Sequence, residues 1–147
     1  MKHLCLTPLL FLLILFSCKD VAPTPQIGSQ LEGEWVNVSQ SYKHYDASGQ
    51  LVHEERDSTG TLFDFNGYRT TITYGTGTET ECVYTLLESN GRNHIQFTWE
   101  GLLQTYEITS ISDSMMSWST EAEETECIHQ SVKTAERAIT TIEFSRL

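Results

Sequence analysis

The sequence predicts an all-β domain, an antiparallel up-and-down β-barrel of eight or nine strands, from three observations. From Leu31 onward apolar and polar residues alternate with period two, the spacing that sends successive side chains to opposite faces of a sheet. Turn signals at Asn66-Gly67, Gly75-Thr76-Gly77 and Ser89-Asn90-Gly91 cut that alternation into short segments. Short connections and consecutive hairpins favour a meander that closes on itself and removes exposed edges. A β-sandwich satisfies the same alternation and stays open as the rival architecture. At 147 residues and 39% hydrophobic, the chain holds one domain with a genuine core.

The elements follow in chain order. Residues 1–17 are set apart from the fold: Met1-Lys2-His3 is a short basic start, and Leu4 to Ser17 is almost wholly apolar. That run falls short of the roughly 20 residues of a membrane span and has the anatomy of a secretory signal. "LFSC", Leu15 to Cys18, resembles a bacterial lipobox, in which a small residue precedes a cysteine whose thiol receives lipid. Cys18 is then the attachment site, and two or more acyl chains give stable anchoring where one is marginal. Residues 18–30, with two Pro, one Gly and no periodic pattern, read as a flexible, lipid-anchored tether. By lipoprotein sorting rules, Lys19 after the cysteine argues against retention at the inner membrane. The expected location is the cell envelope at the outer membrane, with its face undetermined.

The barrel domain spans residues 31–147, with strands at about 33–45, 50–57, 61–65, 68–74, 78–87, 93–99, 102–111, 115–121 and 137–146. Ile72 and Tyr74 oppose Thr71 and Thr73; Cys82, Tyr84 and Leu86 form the next apolar row, followed by Ile95, Phe97 and Trp99. Tyr106 and Ile108, Met116 and Trp118, and Ile142 and Phe144 alternate with Thr, Ser and Glu. One apolar face and one polar face is the pattern of strands with water on one side. Thr120 to Arg137 breaks the rhythm. Thr120 followed by Glu123 matches a capping box, with Lys133 and Arg137 late, so a short helix before the last strand and a long polar loop are both open.

Gly33-Glu34-Trp35 at the start of the first strand, the aromatic-rich meander, "YEITSISDSMMSW" and the terminal "FSRL" together carry a likeness to a known family. With that Gly-x-Trp element the chain resembles the calycin-type barrels, specifically bacterial lipocalin-like domain lipoproteins. The second lipocalin motif, Thr-Asp-x-x-Tyr, is absent. The resemblance implies a lipocalin-like barrel in which Arg146, at the end of the last strand, lies across the indole of Trp35. A guanidinium over an indole contributes roughly 0.5–2 kcal/mol. Trp35 then plugs the closed end of the barrel, and a ligand enters from the other.

Composition bounds the chemistry. A net charge of −11, about −12 once Lys2 leaves with residues 1–17, repels phosphate backbones, so no nucleic-acid partner is expected. Cys82 and Cys127 are the cysteines left after Cys5 and Cys18; they form one disulfide or stand as two separate thiols. His44 and His53 face each other only if their hairpin closes through Ser48-Gly49; Asp46-Ala47-Ser48-Gly49 instead suits a turn with a Gly bulge that slides His44 opposite Val52. No third ligand stands at a sensible spacing, so neither metal nor cofactor is expected. Gly-x-Ser-x-Gly, His-Glu-x-x-His and phosphate-cradling loops are absent from the sequence, and the expectation is a protein that is not an enzyme.

Candidate pocket residues are Tyr74, Tyr84, Phe97, Trp99, Tyr106, Met116 and Trp118, whose apolar bodies and, in Tyr and Trp, polar tips suit a ligand or a packed core alike. The leading expectation is a membrane-anchored binder of a small apolar molecule at the envelope. The alternative is a non-enzymatic structural or protein-interaction module with a filled barrel, its partner unknown.

Overall fold

The computed structural model describes residues 25–99, 101–129 and 131–147; side chains at 25, 99 and 124–134 lie outside that description. The chain forms a helix, α1 (Pro25–Leu31), and nine strands: β1 (Gly33–Tyr45), β2 (Leu51–Asp57), β3 (Leu62–Asn66), β4 (Arg69–Thr73), β5 (Glu79–Ser89), β6 (Arg92–Trp99), β7 (Leu102–Ile111), β8 (Met115–His129) and β9 (Ser131–Arg146). From β3 to β9 each strand pairs antiparallel with the next, and β9 returns to β1. That last pairing closes an eight-stranded up-and-down barrel and excludes the sandwich.

Strand β1 is the keystone. Its outer edge toward β9 is paired from Trp35↔Arg146 to Tyr45↔Arg137. Its other edge is shared: Gly33 to Val36 pair with β3, and Gln40 to Tyr45 pair with β2, the one strand extra to the barrel. At the junction the Asn37 amide donates to the Thr61 carbonyl at 2.9 Å, and the register toward β9 slips between Asn37 and Ser39. Such a bulge bends a strand and reverses which face its later residues occupy. Trp35 and Asn37 point inward, Val38 is turned out, and Gln40 points inward again. A second slip between Ile108 and Ser110 brings Ile111 back toward the core.

Turn chemistry follows the twist of the hairpins. Ser89↔Arg92 encloses Asn90 and Gly91, both at positive φ. The β3–β4 hairpin closes around Gly67-Tyr68 rather than Asn66-Gly67, because Asn66 pairs with Arg69. Gly67, at φ +64°, takes the first central position, where this class of turn demands a residue without Cβ strain.

Two segments depart from the expected architecture. Residues 120–129 and 131–137 form neither a helix nor a loop: β8 and β9 run on as one long hairpin to His129↔Ser131. The ladder hydrogen bonds each strand gains from its neighbour outweigh a capping box and a modest helix preference. Residues 25–30, expected in the flexible tether, belong to α1. Pro25 suits the first helical position, and Ile27 and fully buried Leu31 pack on the barrel floor. The secretory run, Cys18 and residues 19–24 lie outside the described residues.

Candidate functional site: the barrel cavity and its closed end

The floor is built from the first and last strands. Trp35 is 0% exposed, and its indole Nε1 donates to the Leu31 carbonyl at 2.8 Å. Arg146 lies over the ring, its guanidinium carbon 4.2 Å from the centroid, while its two Nη atoms donate to the carbonyls of Gln30 and Glu32. One planar fork therefore stacks on the indole and satisfies carbonyls at the end of α1, a combination lysine cannot reproduce. Gly33 sits at φ +108°, and a Cβ there would stand 3.0 Å from Arg146 Nη1. The motif residues Gly33, Trp35 and Arg146 thus form one closed end.

Above the floor the lower barrel is solid. Phe65, Tyr84, Ile95, Met116 and Phe144 are buried together with Trp118. Edge-on ring contacts hold them, with Phe65 against Tyr84 at 5.3 Å and Phe63 against Phe144 at 5.3 Å between centroids. The Tyr84 hydroxyl donates to the Gly67 carbonyl at 2.6 Å. Tyr84 and Met116, both candidate pocket residues, are therefore core: a partner in the lower turn and tight packing keep them from the lumen.

The upper half holds a cavity of about 440 Å³. Four candidates meet there, Tyr74, Phe97, Tyr106 and Trp118, joined by Phe63. Phe97 and Tyr106 each lie about 6 Å from Trp118 between centroids, at 5.5 and 5.9 Å. Ile72, Ile142 and Cys82 complete the apolar wall, and Asn37, Gln40, Thr61 and Gln104 supply the polar groups. Thr59 and Gly75, both exposed, mark the mouth at the end opposite α1. The Trp99 side chain lies outside the described residues.

Sequence reasoning missed the polar part of this wall. Asn37 and Gln40 stand at positions that strict alternation cannot both turn inward, and only the bulge at Val38 does so. Cys82, Tyr74 and Tyr106 have pKa values above their ordinary ones, chiefly because burial disfavours the charged form; Glu81 adds to the effect on Cys82, Cys82 to that on Tyr74, and Tyr42 to that on Tyr106. All three stay neutral at pH 7. Among the described residues, no Asp, Glu, Lys, Arg or His lines the cavity.

Cys82 is a free, buried thiol; the Cys127 side chain, the other half of the possible bridge, lies outside the described residues. The histidines require a correction. The Gly-bulge turn is present, with the Gly49 amide donating to the Asp46 carbonyl, but a second irregularity between His44 and Tyr45 restores the register. His44 therefore pairs with His53, their rings 5.8 Å apart. Among the described residues no cluster of three or more His, Cys, Asp or Glu gathers to hold a metal ion.

A closed, eight-stranded up-and-down barrel, sealed at one end and hollow at the other, defines the lipocalin-like class of fold. Among solved structures the chain is similar to the crystal structure of a lipocalin-like protein from Bacteroides uniformis ATCC 8492, with 13% sequence identity and a TM-score of 0.42, over 80% of this chain and 99% of that one. No protein-family model and no curated protein matches the sequence.

Proposed function

We propose that this protein is a membrane-anchored, lipocalin-like lipoprotein of the cell envelope that binds a small, mostly apolar molecule in the upper barrel. The observation that carries the reading is the 440 Å³ cavity, lined mainly by aromatic and aliphatic side chains with a few convergent polar groups. That size and composition match small-molecule sites generally. The proposed role is capture and carriage without chemistry at the ligand, and anchoring through Cys18 at the outer membrane. Native mass spectrometry of the full chain purified from its own envelope tests the reading. A co-purifying small molecule, lost on blocking the mouth with Gln104→Trp, is the expected result; a ligand-free barrel across several preparations removes the carrier role. Palmitate labelling abolished by Cys18→Ser tests the anchor.

The alternative, a structural or protein-interaction module, draws on one feature. Past Ser119, β8 pairs only with β9 among the described residues, leaving a strand edge that another chain could extend. A stoichiometric protein in the same spectrum would favour it.

A further inference from the structure

The seam between β7 and β8 closes over only the lower half of β7. The strands pair at Glu107↔Ser119 and Ile108↔Trp118, slip register, and pair again at Ser110↔Ser117 and Ile111↔Met116. Above Ser119 they part. Leu102 to Tyr106 pair with β6, from Trp99↔Leu102 to Ile95↔Tyr106, while β8 from Thr120 onward pairs, among the described residues, with β9 alone. A barrel that closes along its whole length leaves no such strand edges. The cavity reaches this split. Gln104 and Tyr106 line it from the part of β7 that β8 does not cover, and Trp118 lines it from β8 just below. Gln104 is exposed as well as cavity-lining, so the cavity meets solvent there as well as at Thr59 and Gly75. The Tyr106 ring lies 5.9 Å from the Trp118 ring, and its hydroxyl donates to Gln104 Oε1 on its own strand at 3.2 Å. At that level the two strands meet through rings and not through a ladder pair.

Each side of the seam is better tied than the seam itself. Besides their ladder, β6 and β7 share the ion pair Arg92–Glu107 at 3.0 Å and a hydrogen bond from Gln96 Nε2 to Thr105 Oγ1 at 3.0 Å. On the other side β8 is laddered to β9 from Met115↔Ser145 to His129↔Ser131. Between the split and the slip at Thr109, Glu107↔Ser119 and Ile108↔Trp118 are the pairs that join the two ribbons. Where the ladder is interrupted, the Thr109 hydroxyl donates to the Ser117 carbonyl at 3.1 Å. A short run of pairs bounded by an open edge and a bulge unzips before a long ladder does. We infer that ligand passes through the side of the barrel: the β6–β7 ribbon swings away from β8 by unzipping those two pairs, hinged at the bulge, and Tyr106 leaves Trp118 as it moves. The inference rests on the binding reading proposed above and adds the route by which the cavity fills and empties.

A staple across the seam tests it. Glu107→Cys with Ser119→Cys, in a Cys127→Ser background, places two thiols at directly opposed positions, within reach of a disulfide. Val83→Cys with Thr98→Cys, opposed across β5 and β6, is the control staple. Release of dansylamide, a neutral fluorophore excited through the tryptophans, is followed after dilution of the full chain in lipid nanodiscs, with empty nanodiscs as reference. Oxidation of the 107–119 pair should slow release at least about tenfold relative to the reduced form, and oxidation of the control pair should not. In the reduced protein the amides of residues 107–108 and 118–119 should exchange with solvent at least about tenfold faster than those of 95–97, and should slow on oxidation. Equal release from the oxidised and reduced forms, equal slowing by the control staple, or seam amides as protected as those of 95–97 overturns the inference and leaves the binding reading standing. No dansylamide binding in either form overturns both.

Discussion

At the scale of single residues the closed end is the most interdependent part of the molecule. Arg146→Ala removes a stacked cation and leaves the carbonyls of Gln30 and Glu32 without that donor; the expected loss is about 2 kcal/mol by chemical denaturation. Arg146→Lys should recover less than half, since a point charge neither stacks nor forks. Gly33→Ala should cost about 1–2 kcal/mol from its positive φ and the approach of Arg146, and less when Arg146 is already Ala, so the two changes should not add. The thiol and the two phenols of the cavity wall give a pH signature. Cys82, Tyr74 and Tyr106 all titrate above their ordinary values of 9.0 and 10.0, so the unfolded chain loses these protons first. Their contribution to stability is therefore complete below about pH 9 and is lost as pH rises through the folded-state values. Denaturation midpoints at pH 7.5, 9.5 and 10.5 should fall in that order, and Tyr106→Phe should flatten the decline.

At the scale of elements, the hairpin β8–β9 divides into two parts. From Met116 to Ser119 β8 pairs with both β7 and β9, whereas from Thr120 to His129 it pairs, among the described residues, with β9 alone. Replacing residues 126–134 with an Asn-Gly turn should change barrel stability by less than about 1 kcal/mol, because among the described residues those removed pair only with one another. Helix α1 behaves oppositely: it is short, yet Leu31→Ala should cost about 2–4 kcal/mol through the cavity left beneath Trp35. These two elements show where the sequence was legible. Strand number and most boundaries could be read because alternation is a local signal that burial reinforces. A seven-residue helix has too few residues for a periodic pattern, and its stability comes from the far end of the chain, through Arg146. The inward turn of Asn37 and Gln40 was illegible for a related reason: a bulge is set by what lies opposite, here the junction of β2 and β3, and not by the residues that bulge. Of the cavity, the aromatic half could be read from composition; the polar half needed the register.

At the scale of the whole molecule, the closed end and the mouth lie at opposite poles. In a meander alternate turns share an end, so the Asn90-Gly91 turn accompanies α1 while the β6–β7 turn, with exposed Leu102 beside it, accompanies the mouth. Brominated lipids in a nanodisc carrying the full chain should therefore quench a fluorophore at position 90 more strongly than one at position 102; equal quenching would mean that the domain lies on its side. The floor seal then has a consequence for traffic. Only residues 19–24 separate Cys18 from α1, a span of at most about 25 Å even when fully extended. If the proposed lipid is attached at Cys18, the barrel would stand on its sealed base and face away from the bilayer. Its cargo would arrive from, and depart to, the aqueous side, which makes hand-over between soluble or facing partners the natural economy of such a protein and withdrawal of lipids from its own membrane the unnatural one.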